Sequence, residues 1–422
     1  MGRDASMRVD PTPGVEECEQ LMRPSVLVLN RSYWPDQEAT GQLLTEMAEG
    51  LAEEFDVAVM CGQPNSIDRV AAASDWESVT RRGGVSICRV NHRKRSKTNL
   101  FLKLLGFISF AFAVRRTLRS VPSADVCIFQ TDPFLLGFDA LRFRRRTGCR
   151  LVGYLQDIFP DVAIAAGVTG NNLICRWLRA RLFRVYRECD AMVVLSSDMR
   201  DYLIEGGVER NRIHVVQNWA DTECVRRVAR GEAFRSRHGL RDHFIVQYSG
   251  NLGRTQNLQL LIDAARRLQH RADILFVIIG SGAERGRLQV AAAGAPNVRF
   301  LDFVPKDELS ESLSCGDLHW LPFGRAFSKF LMPSKLYGIL AAGGCPLTNA
   351  SPETELYREV IEAGIGLHVE EGCAQAIVEQ VLWAADNRDE IERMRAKSRI
   401  VAEEKYSRVR ALAALSRILH AV

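Results

Sequence analysis

Short, unbroken apolar runs, each emptying into a polar or glycine-bearing loop and then a helical pattern, recur along this chain and restrict its fold more than any other feature. SVLVL at residues 25–29 runs into NRSYWP, DVCIFQ at 125–130 into Thr131-Asp132-Pro133, and FIVQY at 244–248 into SGNLGR. Strands that are apolar at every position are buried on both faces and belong to parallel sheets, because a one-sided sheet alternates. Strand and helix alternate in both halves, so the expected fold is α/β, with two open Rossmann-like domains facing across a cleft. A chain of 422 residues also exceeds what one core ordinarily holds.

The expected division is a loose leader at 1–22, a first domain at 23–225, a polar and basic change-over near 220–240, and a second domain at 240–400. The leader lacks the apolar core of a signal peptide, and Met22 is a second candidate start. Hydrophobic residues at 47% and charged residues at 25% suit a globular chain and exclude a mostly disordered one. The 11 cysteines form no CxxC pair, which favours a reducing, cytosolic setting over a disulfide framework or a metal cluster.

Charge matters by placement more than by its total of +5. Residues 89–119 carry arginine and lysine, including Lys94, Arg95 and Lys97, and no acidic residue. They flank LFLKLLGFISFAFAV, which is too short to span a bilayer but suits a helix lying at an anionic membrane surface. A buried domain helix with a solvated basic approach fits the same residues. Nucleic acid is disfavoured, since neither an aromatic-laced basic groove nor a zinc motif accompanies the charge.

The loops at strand ends carry the candidate chemistry. Gly41 precedes a helical pattern and suits either close approach to a phosphate or a plain turn; no GxGxxG accompanies it, which disfavours a dehydrogenase. Asp157 follows a strand and reads equally as a proton acceptor or a turn former. Gly250, Asn251 and Arg254 form a loop fit to cradle a diphosphate, or a simple strand-helix turn. In SKFLMPSKLYGILAA, Pro333 precedes Ser334, Lys335 and Leu336 at a predicted helix start, a plausible seat for an anion. Glu355 lies in a further loop over the same edge. His319 reads as strand packing, because no second histidine stands at ligand spacing.

Four stretches in this order, YWPDQEATGQLLTEMAEGL, YLQDIFPDVAIAAG, YSGNLGRTQNLQLLIDAA and PSKLYGILAAGGCP, resemble the family-four retaining glycosyltransferases of GT-B architecture, especially the bacterial branch that builds capsules, exopolysaccharides and O antigens. The resemblance implies a C-terminal domain that holds a nucleoside diphosphate sugar, with UDP favoured, and an N-terminal domain that shapes the acceptor site. It implies Gly41, Asp157, Arg254 and Lys335 around the reacting centre, and Gly250, Asn251, Arg254, Ser334, Lys335, Leu336 and Glu355 on the donor side. It further implies an undecaprenyl-diphosphate-linked acceptor at the inner face of the cytoplasmic membrane, a metal-independent reaction without a cofactor, and a segment at 401–422 that crosses back to the first domain. Four positions depart from the family pattern: Phe330 and Gly338 stand where many relatives carry a glutamate pair, and Asn251 and Gln256 stand where the donor loop usually carries an arginine and a lysine, a loss of charge that Arg254 offsets in part. A sugar-nucleotide epimerase of the same paired domains and a non-catalytic polysaccharide-binding protein are the competing readings.

Overall fold

The computed structural model describes residues 23–36, 39–64, 80–93 and 100–422. The leader at 1–22 and the cations Lys94, Arg95 and Lys97 fall outside the described residues.

The first sheet is built from β1 (Ser25–Leu29), β2 (Asp56–Cys61), β3 (Thr80–Arg82), β4 (Val85–Arg89), β5 (Val126–Gln130), β6 (Arg150–Tyr154), β7 (Ala191–Val194) and β8 (Ile213–Val215). Its order is β3-β4-β2-β1-β5-β6-β7-β8, parallel except for the β3–β4 pair. The second sheet comprises β9 (Phe244–Ser249), β10 (Ile274–Ile279), β11 (Val298–Leu301), β12 (Leu318–Leu321), β13 (Pro346–Thr348) and β14 (Leu367–His368), in the order β11-β10-β9-β12-β13-β14. The apolar runs form these strands because both faces are covered by helices, and the side chains of β5, β7, β10 and β12 are buried throughout. In each sheet the winding reverses once, between β1 and β5 and between β9 and β12. Such reversals open a crevice at the carboxyl ends of the strands.

Sequence reasoning passed over the β3–β4 hairpin. Its signal is Gly83-Gly84, whose φ angles of 56° and 77° give the left-handed turn that joins two antiparallel strands. The two-residue β14 was also unread, being too short for any periodicity. The greasy stretch forms the helix Leu100–Thr117, longer than its apolar run because Arg115 and Arg116 extend the last turn. Among the described residues, no helix is long and apolar enough to cross a membrane. His319 lies inside β12, where burial lowers its pKa to about 3 and keeps the ring neutral.

The chain passes between the two sheets twice. After β8 it leads to the second domain, and after the helix Arg388–Lys405 it returns as the helix Arg408–Ala421. Leu412 of that last helix packs beside Gly50 on the helix Ala39–Leu51, and Ser416 Oγ donates to Glu54 over 2.6 Å. The two passages run alongside each other, paired through a parallel bridge between Ala220 and Ser407.

Candidate active site between the two sheets

On the second domain the loops after β9 and β10 and the helix after β12 bring three glycines and one lysine together. Gly250 follows β9 with φ 142°, and a Cβ there would stand 2.4 Å from Lys335 Cε. Gly280 and Gly282, after β10, have φ values of 134° and 159°, and a Cβ on either would meet the backbone oxygen of Gly250 at 2.0 Å or of Leu252 at 2.4 Å. Only glycine lets these loops stack backbone on backbone.

Lys335 opens the helix Lys335–Ala341 and points into this floor. Its Nζ donates to Gln256 Oε1 at 2.6 Å and to Tyr248 Oη at 2.9 Å, and sits 4.7 Å from the Tyr248 ring centroid. Both partners are neutral, and among the described residues no carboxylate pairs with it. Burial without a counter-charge lowers its pKa to about 8. A cation held this way gains from any anion that enters, because the low-polarity surroundings strengthen the attraction. Sequence reasoning named Lys335 and Gly250 but not their direct contact. Gln256 was marked only as the residue standing where the family's donor loop usually carries a lysine, and Tyr248 not at all; their contacts with Lys335 were hidden because they lie 79 and 87 residues from it.

The other donor-side candidates are distributed differently. Asn251 and Ser334 are exposed on the loop surface, and the Asn251 carbonyl accepts from Tyr248 Oη at 2.7 Å. The Arg254 side chain is 90% exposed and 3.3 Å from Glu284, so it stands at the rim and not on the floor. Leu336 is wholly buried and its amide donates to the Pro333 carbonyl, so its side chain serves the core. Glu355 is turned toward the first domain: its carboxylate accepts from the Ser197 amide and from Gln217 Nε2 at 2.9 Å, while its own amide donates to Asp198 Oδ2 at 2.8 Å. That interdomain use was invisible in the sequence.

The first domain presents its own polar edge. Asn30 follows β1 and Gln130 ends β5, whose register places Gln130 beside Tyr154 of β6. Asn30 Oδ1 and Gln130 Oε1 are buried and lack a hydrogen-bond partner among the described residues. Unmet polar groups at the carboxyl edge of a parallel sheet are unusual away from a ligand site. Their signal in the sequence was a polar residue closing each apolar run. The Arg31–Asp132 ion pair, at 2.8 Å, ties the loops after β1 and β5 together. Gly41 lies in the first turn of the helix Ala39–Leu51, where a Cβ would come within 3.0 Å of Asp36 Cβ; its immediate role is to let that loop close onto the helix.

Asp157 meets the second domain directly. It forms an antiparallel bridge with Leu331, and the next amide, Ile158 N, donates to the Phe330 carbonyl at 2.8 Å. The Phe330 ring packs edge-on against Tyr202, with centroids 5.1 Å apart. One residue earlier, Lys329 pairs with Glu205 at 2.9 Å. Phe330 thus makes an aromatic contact between the domains. Asn218 Nδ2 donates to Gln156 Oε1 at 2.8 Å beside the same junction.

Residues 40–224 match the family described as Glycosyltransferase Family 4, and residues 231–401 match that described as Glycosyl transferases group 1. WcaI of Escherichia coli (strain K12), named for colanic acid biosynthesis glycosyl transfer, is 28% identical over 374 residues, 84% of this chain and 90% of its own. WbjE of Pseudomonas aeruginosa, named as a glycosyltransferase, is 27% identical over 264 residues, 62% of this chain and 66% of its own. The crystal structure of Anabaena HepE in complex with UDP superposes with a TM-score of 0.70 at 13% identity, covering 94% of this chain and all of that one. At that identity the likeness concerns the fold, and the fold shared is the two-sheet GT-B arrangement.

Proposed function

Because the chain belongs to the glycosyltransferases that join a family 4 domain to a group 1 domain, we propose that it transfers a sugar from a nucleoside diphosphate sugar, preferably a UDP-sugar, to a lipid-linked saccharide in cell-surface polysaccharide synthesis. The observation that carries this reading is Lys335, a half-buried cation with only neutral partners, seated over the glycine loops of the second domain. The named relative in colanic acid biosynthesis supports the polysaccharide setting, and the UDP complex of the Anabaena protein supports the donor.

In this reading the bond between the anomeric carbon and the β-phosphate oxygen breaks, and the electron pair leaves with the diphosphate. Lys335 and the amides around Gly250 and Ser334 stabilise that charge, with Arg254 reaching in from the rim. The acceptor hydroxyl attacks on the face the phosphate leaves, its proton passes to the departing phosphate oxygen, and configuration is retained. Asn30, Gln130 and Asp157 orient the acceptor from the first domain. The cationic role falls to protein side chains, without a metal. The enzyme works peripherally at the inner face of the cytoplasmic membrane, approached through residues 89–119.

The test is a thermal-shift screen of the purified protein against UDP-, GDP- and TDP-sugars, followed by radiolabel transfer to membrane lipid with each hit. Saturable stabilisation and a labelled lipid are expected. No shift across the panel rejects the donor site. A non-catalytic binder is the second reading, favoured by the use of Phe330 as a packing residue; it predicts a saturable shift with no labelled lipid.

A further inference from the structure

The helix Leu173–Glu188 lies outside the candidate site and leaves an unusual surface uncovered. Its inner face buries Leu182, Phe183, Val185 and Tyr186. Its first turns do the opposite: the side chains of Leu173, Ile174 and Trp177 are 78%, 74% and 60% exposed. Three large apolar groups within five residues form a contiguous patch of the sort that marks a contact surface.

The charge beside the patch identifies the partner. Arg179 is held by Asp161, whereas Arg176, Arg181 and Arg184 are exposed and meet no carboxylate among the described residues. Arg181 lies 5.5 Å from the Trp177 ring centroid, so the indole and a free guanidinium are presented together. An indole settles at the depth of lipid headgroups, aliphatic tips enter the acyl boundary, and unpaired arginines meet phosphate. A protein partner would need acidic groups interleaved with an apolar socket; an anionic bilayer supplies both layers in that order.

Position relative to the cleft supports the same partner. In a parallel α/β domain a helix begins at the carboxyl edge of the sheet, so Leu173 and Trp177 lie at the cleft end of the domain. Arg179 Nε to Asp161 Oδ1, at 2.8 Å, couples the helix to the segment that begins at Asp157 and meets Phe330 and Leu331. The helix Leu100–Thr117 also begins at that edge and exposes Leu104 and Ile108. Both are connected through the helix Leu136–Thr147 that packs between them.

We infer that Leu173, Ile174 and Trp177, with Arg176, Arg181 and Arg184, form an anionic-lipid docking patch separate from residues 89–119. The patch sets the mouth of the cleft against the bilayer. Its purpose rests on the proposed lipid-linked acceptor, but the binding itself is measured without donor or acceptor.

The test is co-sedimentation of the full-length protein with equimolar phosphatidylglycerol and phosphatidylcholine vesicles, against pure phosphatidylcholine. Two triple variants are compared with the wild type: Leu173→Ser, Ile174→Ser, Trp177→Ser, and Arg176→Gln, Arg181→Gln, Arg184→Gln. Each is expected to lower partitioning roughly tenfold or more while keeping the thermal midpoint, since single interfacial cations contribute roughly fivefold each. The Trp177→Phe variant should lose the blue-shifted emission that anionic vesicles induce. Wild-type partitioning by both triple variants overturns the proposal, as does equal binding to neutral vesicles. A wild-type dimer dispersed by the serine variant, with vesicle binding intact, overturns it in favour of self-association. Failure of transfer to a detergent-solubilised acceptor, with vesicle binding intact, would instead reject the transferase reading alone.

Discussion

Gly250 passes so close to Lys335 that a methyl group on its α-carbon would stand 2.4 Å from the lysine Cε. The glycine and the cation are therefore one construction: the loop approaches only because it has no side chain, and its φ of 142° is open to glycine alone. Gly250→Ala is expected to cost about 1–3 kcal/mol of local strain. Displacement of the ammonium should raise the KM for donor by roughly tenfold, the equivalent of about 1.4 kcal/mol. Steady-state kinetics with varied donor check this; an unchanged KM would detach the loop from donor binding.

Lys335 also predicts a pH dependence. Burial lowers its folded pKa from 10.5 to about 8, so this group contributes stability above pH 10.5 that is lost as pH falls through about 8. Donor binding runs the other way, because only the protonated amine attracts a diphosphate. Affinity for donor should fall as pH rises past about 8, by up to about tenfold per pH unit. Calorimetry in two buffers of different ionisation enthalpy should show proton uptake on binding near that pH. Lys335→Gln should bind donor weakly at pH 7 and lose the proton uptake; persistence of the uptake would assign it elsewhere.

Phe330 predicts a separation of binding from turnover. Its ring touches Tyr202 of the first domain and its carbonyl accepts from Ile158, while the lysine floor belongs wholly to the second domain. Phe330→Ala removes an aromatic pair worth about 0.5–1.5 kcal/mol. Donor affinity by calorimetry should stay within about twofold, whereas kcat should drop roughly fivefold or more through weaker domain docking. Equal losses in both would contradict the division of labour.

Gly338 differs from Gly250, Gly280 and Gly282. A Cβ there meets nothing nearer than Leu313 Cδ1 at 3.7 Å, and the residue lies within the helix Lys335–Ala341. Gly338→Ala should therefore stabilise the protein by about 0.5–1 kcal/mol, seen as a higher denaturation midpoint. A drop in stability would mean that the helix surface is tighter than these distances imply.

What the sequence revealed follows from the range of the forces involved. SVLVL announced a buried parallel strand because burial on both faces leaves no polar position, and the glycines of SGNLGR announced a tight loop for stereochemical reasons. Those are local effects. Lys335 was legible as a cation near a helix start, but its neutral partners Gln256 and Tyr248 come from a strand and loop remote in sequence. Glu355 looked like a donor ligand in its own loop, yet its carboxylate is engaged by Ser197 and Gln217 of the other domain. The Phe330–Tyr202 contact and the outward turn of Trp177 had no local signature either, since both depend on how finished domains meet each other or solvent.

The bridge between Ala220 and Ser407 has a mechanical meaning. Two adjacent strands of chain make a strap: it flexes across its width, but sliding or twisting one domain on the other would shear the strap. Of the possible relative motions, a paired strap opposes a hinge-like swing least, and such a swing would part the jaws at Asp157 and Leu331. Substrates can then enter and leave while the register with which the jaws meet is kept from one cycle to the next.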